Sequence, residues 1–100
     1  MVDLVNELAG KVALVTGSAR NIGKATALEL ARAGAALVIN ARTSKGLCEE
    51  VAGEINANGG RALPIVADIS DPDAVTAMVD AAIAEFGGID IVVNNASARG

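Results

Sequence analysis

The chain contains no histidine, no tryptophan and no tyrosine, and only one phenylalanine, one cysteine and two prolines among its 100 residues. Without histidine these residues cannot form an imidazole general base, a Ser-His triad or a His-ligated metal site. A single cysteine, Cys48, excludes an internal disulfide and a thiolate metal cluster. It reads as a helix-face thiol of no special reactivity. The scarcity of aromatics leaves alanine, valine, isoleucine and leucine to fill the core of a chain that is 52% hydrophobic. That mixture suits buried parallel strands covered by alanine-rich helices. Positive charge is also scarce: a formal net charge of −4 gives no general attraction to nucleic acid or to an anionic membrane surface. No apolar run approaches membrane-spanning length, and MVDLVNELAGK is too polar and short for a secretory signal, so the expected location is the cytoplasm.

One hundred residues make one domain at most, and there are no internal repeats or linkers. KVALVT (11–16) is a short β-branched run ended by Gly17, which predicts a buried strand. Residues 22–33 are rich in helix formers, with Gly34 placed to stop them. ALVIN (36–40) predicts a second strand. Residues 44–57 place Leu47, Val51 and Ile55 on one helical face, and Asn58-Gly59-Gly60 ends the run. ALPIVA (62–67) predicts a third strand, which tolerates Pro64 if it lies at an edge. Ser70 with Asp73 resembles a capping box and Pro72 fits a first turn. Val75, Met78, Val79, Ala82, Ile83 and Phe86 then give a helix with a core-facing stripe. IDIVV (89–93) predicts a fourth strand, followed by Asn94-Asn95-Ala96-Ser97.

The pattern is βαβαβαβ, an α/β class. Right-handed crossovers wind such a sheet outward until the order reverses, which gives a Rossmann-type doubly wound parallel sheet with strand order 3-2-1-4. Ligands bind such sheets outside the carboxyl ends of the strands at the reversal, where Gly17 and Asn94-Asn95 emerge.

GSARNIGKAT (17–26) resembles two phosphate-binding loops. A P-loop requires four residues between its glycines and a hydroxyl after its lysine. Here five residues separate Gly17 from Gly23, and Ala25 follows Lys24. A dinucleotide-binding turn requires instead that backbone approach a pyrophosphate at a helix N-terminus. The placement between a strand and a helix favours the second.

Thr16-Gly17-Ser18-Ala19-Arg20-Asn21-Ile22-Gly23, with Asp68 after the third strand and Asn94-Asn95-Ala96 after the fourth, resembles the N-terminal half of a short-chain dehydrogenase/reductase over residues 9–97. The resemblance implies that residues 1–100 are the N-terminal part of a single NAD(P)-binding Rossmann domain. Its motifs place Gly17, Ser18, Arg20, Asn21, Ile22, Gly23, Asn95 and Ala96 against the cofactor, and Asp68 and Ile69 against its adenine. Two positions depart from the family pattern. Asn21 replaces a glycine, and asparagine is among the few residues that hold a left-handed conformation at modest cost. Ser97 replaces the glycine of the N-N-A-G motif. Apart from the family, Asp68 also reads as a capping or loop carboxylate, and Asn94 and Asn95 as turn formers. Lys24 and Arg32 read as solvated helix charges.

An NAD site commonly carries a carboxylate at the end of the second strand to bind the ribose hydroxyls. Ala41 occupies that position, Arg42 follows it, and Arg20 lies in the loop facing the same pocket. Two guanidiniums on a dianionic 2′-phosphate form charge-assisted bonds of about 1.5–3 kcal/mol each. NADP is therefore the expected cofactor.

The family's chemistry is hydride transfer between nicotinamide and a carbonyl or alcohol carbon, with a Ser, a Tyr and a Lys in its catalytic set. Those residues would lie beyond Gly100, so the resemblance implies a parent oxidoreductase reducing a ketone or oxidising a secondary alcohol. It acts on a small molecule, in the manner of 3-oxoacyl-thioester reductases, as a homo-oligomer. The isolated 100 residues are expected to be inactive. The alternative is a non-catalytic dinucleotide-binding module or half-domain, in which the fourth strand, with Ile91 and Val93 in a run suited to the middle of a sheet, would have an unpaired edge and an exposed apolar face.

Overall fold

The computed structural model describes residues 7–95 of the chain. Among the described residues seven elements alternate: β1 (Val12–Val15), α1 (Asn21–Arg32), β2 (Ala36–Ala41), α2 (Lys45–Ala57), β3 (Ala62–Val66), α3 (Pro72–Phe86) and β4 (Ile91–Val93). All strand pairs are parallel, and the sheet order is β3-β2-β1-β4, as the crossover rule requires. In register, Leu14 of β1 stands between Val38 of β2 and Val92 of β4.

The central strands β1 and β2 are buried at every position, whereas β3 and β4 are half-covered, as expected for edges. Pro64 lies on the edge strand β3, where the proline rule allows it. Side chains alternate between two faces. Ala13, Val15, Leu37 and Ile39 pack with Ala27 of α1 and with Cys48, Val51, Ala52 and Ile55 of α2. Leu14 and Val38 point the other way, against Met78 and Ala82 of α3. Fully buried alanines at the helix contacts let the helices sit close to the sheet, which is how a chain with one aromatic residue closes its core. That aromatic, Phe86, is half-buried, and the Arg61 guanidinium sits 5.5 Å above its ring.

Two details differ from the sequence-based expectation. The cap of α3 is Asp71, whose carboxylate accepts the Asp73 N–H at 3.0 Å. Ser70 is instead absorbed by the preceding turn, with its N–H and hydroxyl both donating to Asp68. Strand β4 starts at Ile91 because Asp90 turns back to β1, its carboxylate accepting the Val12 N–H at 2.8 Å. Along β4, Ile91 and Val93 pack against the covered face, and Val92 is the exposed residue, at 65%. The alternation of the strand sends it to the α3 side, where it shares exposure with Ile83.

The edge of β3 is protected at one point by a side chain. Asn56 of α2 accepts the Ala62 N–H at 2.9 Å and donates to the Ala62 carbonyl at 3.2 Å, as a neighbouring strand would.

Candidate cofactor site

The loop between β1 and α1 turns at Gly17 (φ 61°) and re-enters the helix through Asn21 (φ 55°), the one non-glycine with positive φ among the described residues. Asparagine thus takes the left-handed conformation at the position where the family pattern has glycine. Gly23 faces the turn so closely that a Cβ there would overlap the Gly17 carbonyl and stand 2.6 Å from Asn95 Nδ2. No side chain fits at that point.

Three tethers fix this loop. The Ser18 hydroxyl donates to the Val15 carbonyl at 2.7 Å and accepts the Asn40 N–H at 2.8 Å, while the Ser18 N–H donates to the Asn40 carbonyl at 2.8 Å. Ser18 is fully buried, so its side chain shapes the loop and faces away from the crevice. Asn40 Oδ1 accepts the Gly17 N–H at 3.1 Å, and Asn40 Nδ2 donates to the carbonyls of Ile65 and Ala67 at 3.2 Å each. Across the sheet reversal, the Thr16 hydroxyl donates to Asn94 Oδ1 at 3.2 Å and accepts the Asn95 N–H at 2.9 Å. Asn95 Nδ2 completes the link by donating to the Gly17 carbonyl at 3.2 Å. Loops from β1, β2, β3 and β4 are thereby joined at one end of the sheet.

The first N–H groups of any helix lack intrahelical acceptors. In α3 the Asp71 carboxylate accepts one of them, from Asp73, and the first turn is acidic. In α1 and α2 the N-terminal residues Arg20 and Ser44 provide no side-chain cap, and neither first turn carries an acidic residue. Both helices begin beside a shallow hollow of about 160 Å³, bounded by the Gly17–Arg20 loop and by Ala41, Arg42, Thr43 and Ser44. Arg20 Nη2 donates to Ser44 Oγ at 2.9 Å across it. Arg42 Nε lies 3.5 Å from Asp68 Oδ2. Hydrogen bonds from the Ser70 hydroxyl and N–H, joined by the charge of Arg42, hold the Asp68 carboxyl below its ordinary range. A larger hollow of about 680 Å³ lies at the other end, among the C-terminal ends of α1 and α2. The dipoles there disfavour anions, whereas those at the smaller hollow favour them.

Of the residues expected to contact cofactor, Gly17, Arg20, Arg42, Asp68, Ile69 and Asn95 belong to the loops gathered at this end and Asn21, Ile22 and Gly23 to the first turn of α1 beside them, with Ile22 exposed at 75%. Ser18 is the exception in orientation. Ala96 and Ser97 lie outside the described residues. Lys24 approaches Glu54 of α2 at 4.0 Å and Arg32 pairs with Glu29, both on the surface. Asn40 was not anticipated as a site residue, although a polar residue closing an apolar strand that is to be buried must find partners.

The family profile described as short chain dehydrogenase matches residues 11–100. The chain belongs to the short-chain dehydrogenase/reductase family. It is 51% identical over 89 residues to versicolorin reductase stcU of Emericella nidulans, an alignment covering 89% of this chain and 34% of that protein. It is 46% identical over 104 residues to human hydroxysteroid dehydrogenase-like protein 2, covering 98% of this chain and 25% of that one. A short-chain dehydrogenase from Burkholderia cenocepacia J2315, solved in complex with NADP, superposes with a TM-score of 0.87 at 48% identity, covering 92% of this chain and 38% of that chain. The chain thus spans about a third or less of the length of the curated relatives.

Proposed function

We propose that the protein is an NADP-dependent oxidoreductase, and that the residues described here form the adenosine and pyrophosphate part of its cofactor site. The observation that carries this reading is the pair of guanidiniums, Arg20 and Arg42, beside a hollow whose β2 end is Ala41 where an NAD site commonly has a carboxylate. The uncapped starts of α1 and α2 fit the same reading, since each offers N–H groups and a positive dipole end to phosphate. The absence of any room for a Cβ at Gly23 fits a loop built for close backbone approach. The NADP found with the Burkholderia relative adds support from a protein 48% identical in sequence.

A bound nicotinamide would supply or accept the hydride exchanged with a ketone or secondary alcohol carbon. This chain's residues would orient it. Gly17, Asn21, Ile22 and Gly23 line the pyrophosphate approach, with Ser18 holding the loop from beneath. Asp68 and Ile69 meet the adenine, Asn95 and Ala96 the ribose, and Arg20 and Arg42 the 2′-phosphate. The substrate is a small carbonyl or alcohol, and the whole protein is a cytoplasmic homo-oligomer. Arg42→Ala is expected to weaken NADP binding by about tenfold or more and to leave NAD nearly unchanged. Equal losses for both cofactors would refute the phosphate role.

A further inference from the structure

Arg42 and Asp68 follow neighbouring strands, β2 and β3, and their side chains meet at 3.5 Å through Nε and Oδ2. The second carboxylate oxygen, Oδ1, accepts the Ser70 N–H at 2.9 Å and the Ser70 hydroxyl at 2.7 Å. The turn therefore fixes the carboxylate and leaves its other oxygen for the guanidinium. Arg20, on the opposite side of the hollow, has a neutral partner in Ser44 Oγ. One of the two cations is thus matched to a fixed anion, and the other is available.

We propose that Asp68 is a specificity-determining residue that competes with the cofactor's 2′-phosphate for Arg42, and so limits the preference for NADP over NAD. The inference rests on the assignment of Arg20 and Arg42 to that phosphate. Two anions sharing one guanidinium divide its charge and repel each other, and a dianionic phosphate feels this where the neutral 2′-hydroxyl of NAD does not. Any adenine contact of Asp68 is common to both cofactors. It changes the two affinities together and cancels in their ratio.

The test is the NADP-to-NAD affinity ratio, measured by equilibrium titration for the parent protein, Asp68→Asn and Asp68→Ser, each also in an Arg42→Ala background. Asparagine keeps an acceptor oxygen for the Ser70 N–H, so the turn is retained without the charge. Serine is a second neutral replacement should the first misfold. The expected result is a ratio raised about fivefold in the neutral variants, the scale of a solvent-exposed charge pair, with a smaller rise when Arg42 is absent, where only the direct repulsion between the two anions is relieved. A merely structural role would lower both affinities and leave the ratio where it was. An unchanged or reduced ratio in a protein that itself prefers NADP overturns this inference and leaves the cofactor assignment standing. Absence of NADP preference in the parent protein overturns both.

Discussion

Asn40 and Gly17 are 23 positions apart, yet the amide oxygen of the first accepts the backbone N–H of the second at 3.1 Å. The remaining amide hydrogens of Asn40 go to the carbonyls of Ile65 and Ala67. One buried side chain thus sets the height of the glycine loop over the ends of β2 and β3. Asn40→Leu has nearly the same size and none of the partners. It leaves the Gly17 N–H and the carbonyls of Ile65 and Ala67 without this partner, at about 1–3 kcal/mol for each group left unsatisfied. A total loss of about 3 kcal/mol or more in urea unfolding is expected, and a loss under about 0.5 kcal/mol, the range of an ordinary surface change, would contradict this role.

Two glycines should respond oppositely to the same substitution. Gly23→Ala puts a methyl group into the Gly17 carbonyl and beside Asn95. It should destabilise the fold by about 1–3 kcal/mol and weaken dinucleotide binding. Gly53, inside α2, has nothing within 4 Å of a built Cβ. Gly53→Ala should therefore raise stability by about 0.5–1 kcal/mol, read as a higher melting temperature.

The turn at Asn21 gives a third comparison. With φ at 55°, Asn21→Gly should be close to neutral in stability, whereas Asn21→Ala should cost about 1 kcal/mol. Equal stability of the two variants would show that the left-handed conformation is not held in solution.

Burial pushes the Cys48 thiol above its ordinary value of 9.0, with the Glu49 charge adding to the rise and a backbone contact from Ile65 opposing it. The thiol also sits 3.0 Å from the Ile39 carbonyl. A raised folded-state value contributes stability that is complete below 9.0 and is lost as pH rises through the folded value. Asp68 has the opposite sign. Its lowered value contributes stability present above the ordinary carboxylate range and lost as pH falls through the folded value. Native Cys48 should accordingly resist a thiol reagent at neutral pH and react at once in urea; rapid labelling of the native protein would contradict its burial.

The strand order was legible because four apolar runs alternate with three helical patterns, and handedness leaves few ways to arrange them. The meeting of the loops at one end of the sheet was legible where motifs follow strand ends, at Gly17 and Asn95. The site was not legible where roles depend on partners brought from elsewhere. Ser18 sits within the cofactor motif but points inward, because Asn40 and Val15 take both sides of its hydroxyl. Asn40 looked like the last residue of a strand, and Ser70 does not cap α3 because the helix starts at Pro72, which makes Asp71 the cap and leaves Ser70 one residue outside it, donating to Asp68. Spacing along a chain does not say which of two adjacent acceptors a hydrogen-bond donor will choose.

The most direct test of the cofactor assignment is a calorimetric titration of the protein with NADP and with NAD at low and moderate salt. The account predicts tighter binding of NADP, by about tenfold or more, with an advantage that shrinks as salt screens the Arg20 and Arg42 guanidiniums. Equal affinities, or an NADP advantage indifferent to salt, would contradict it.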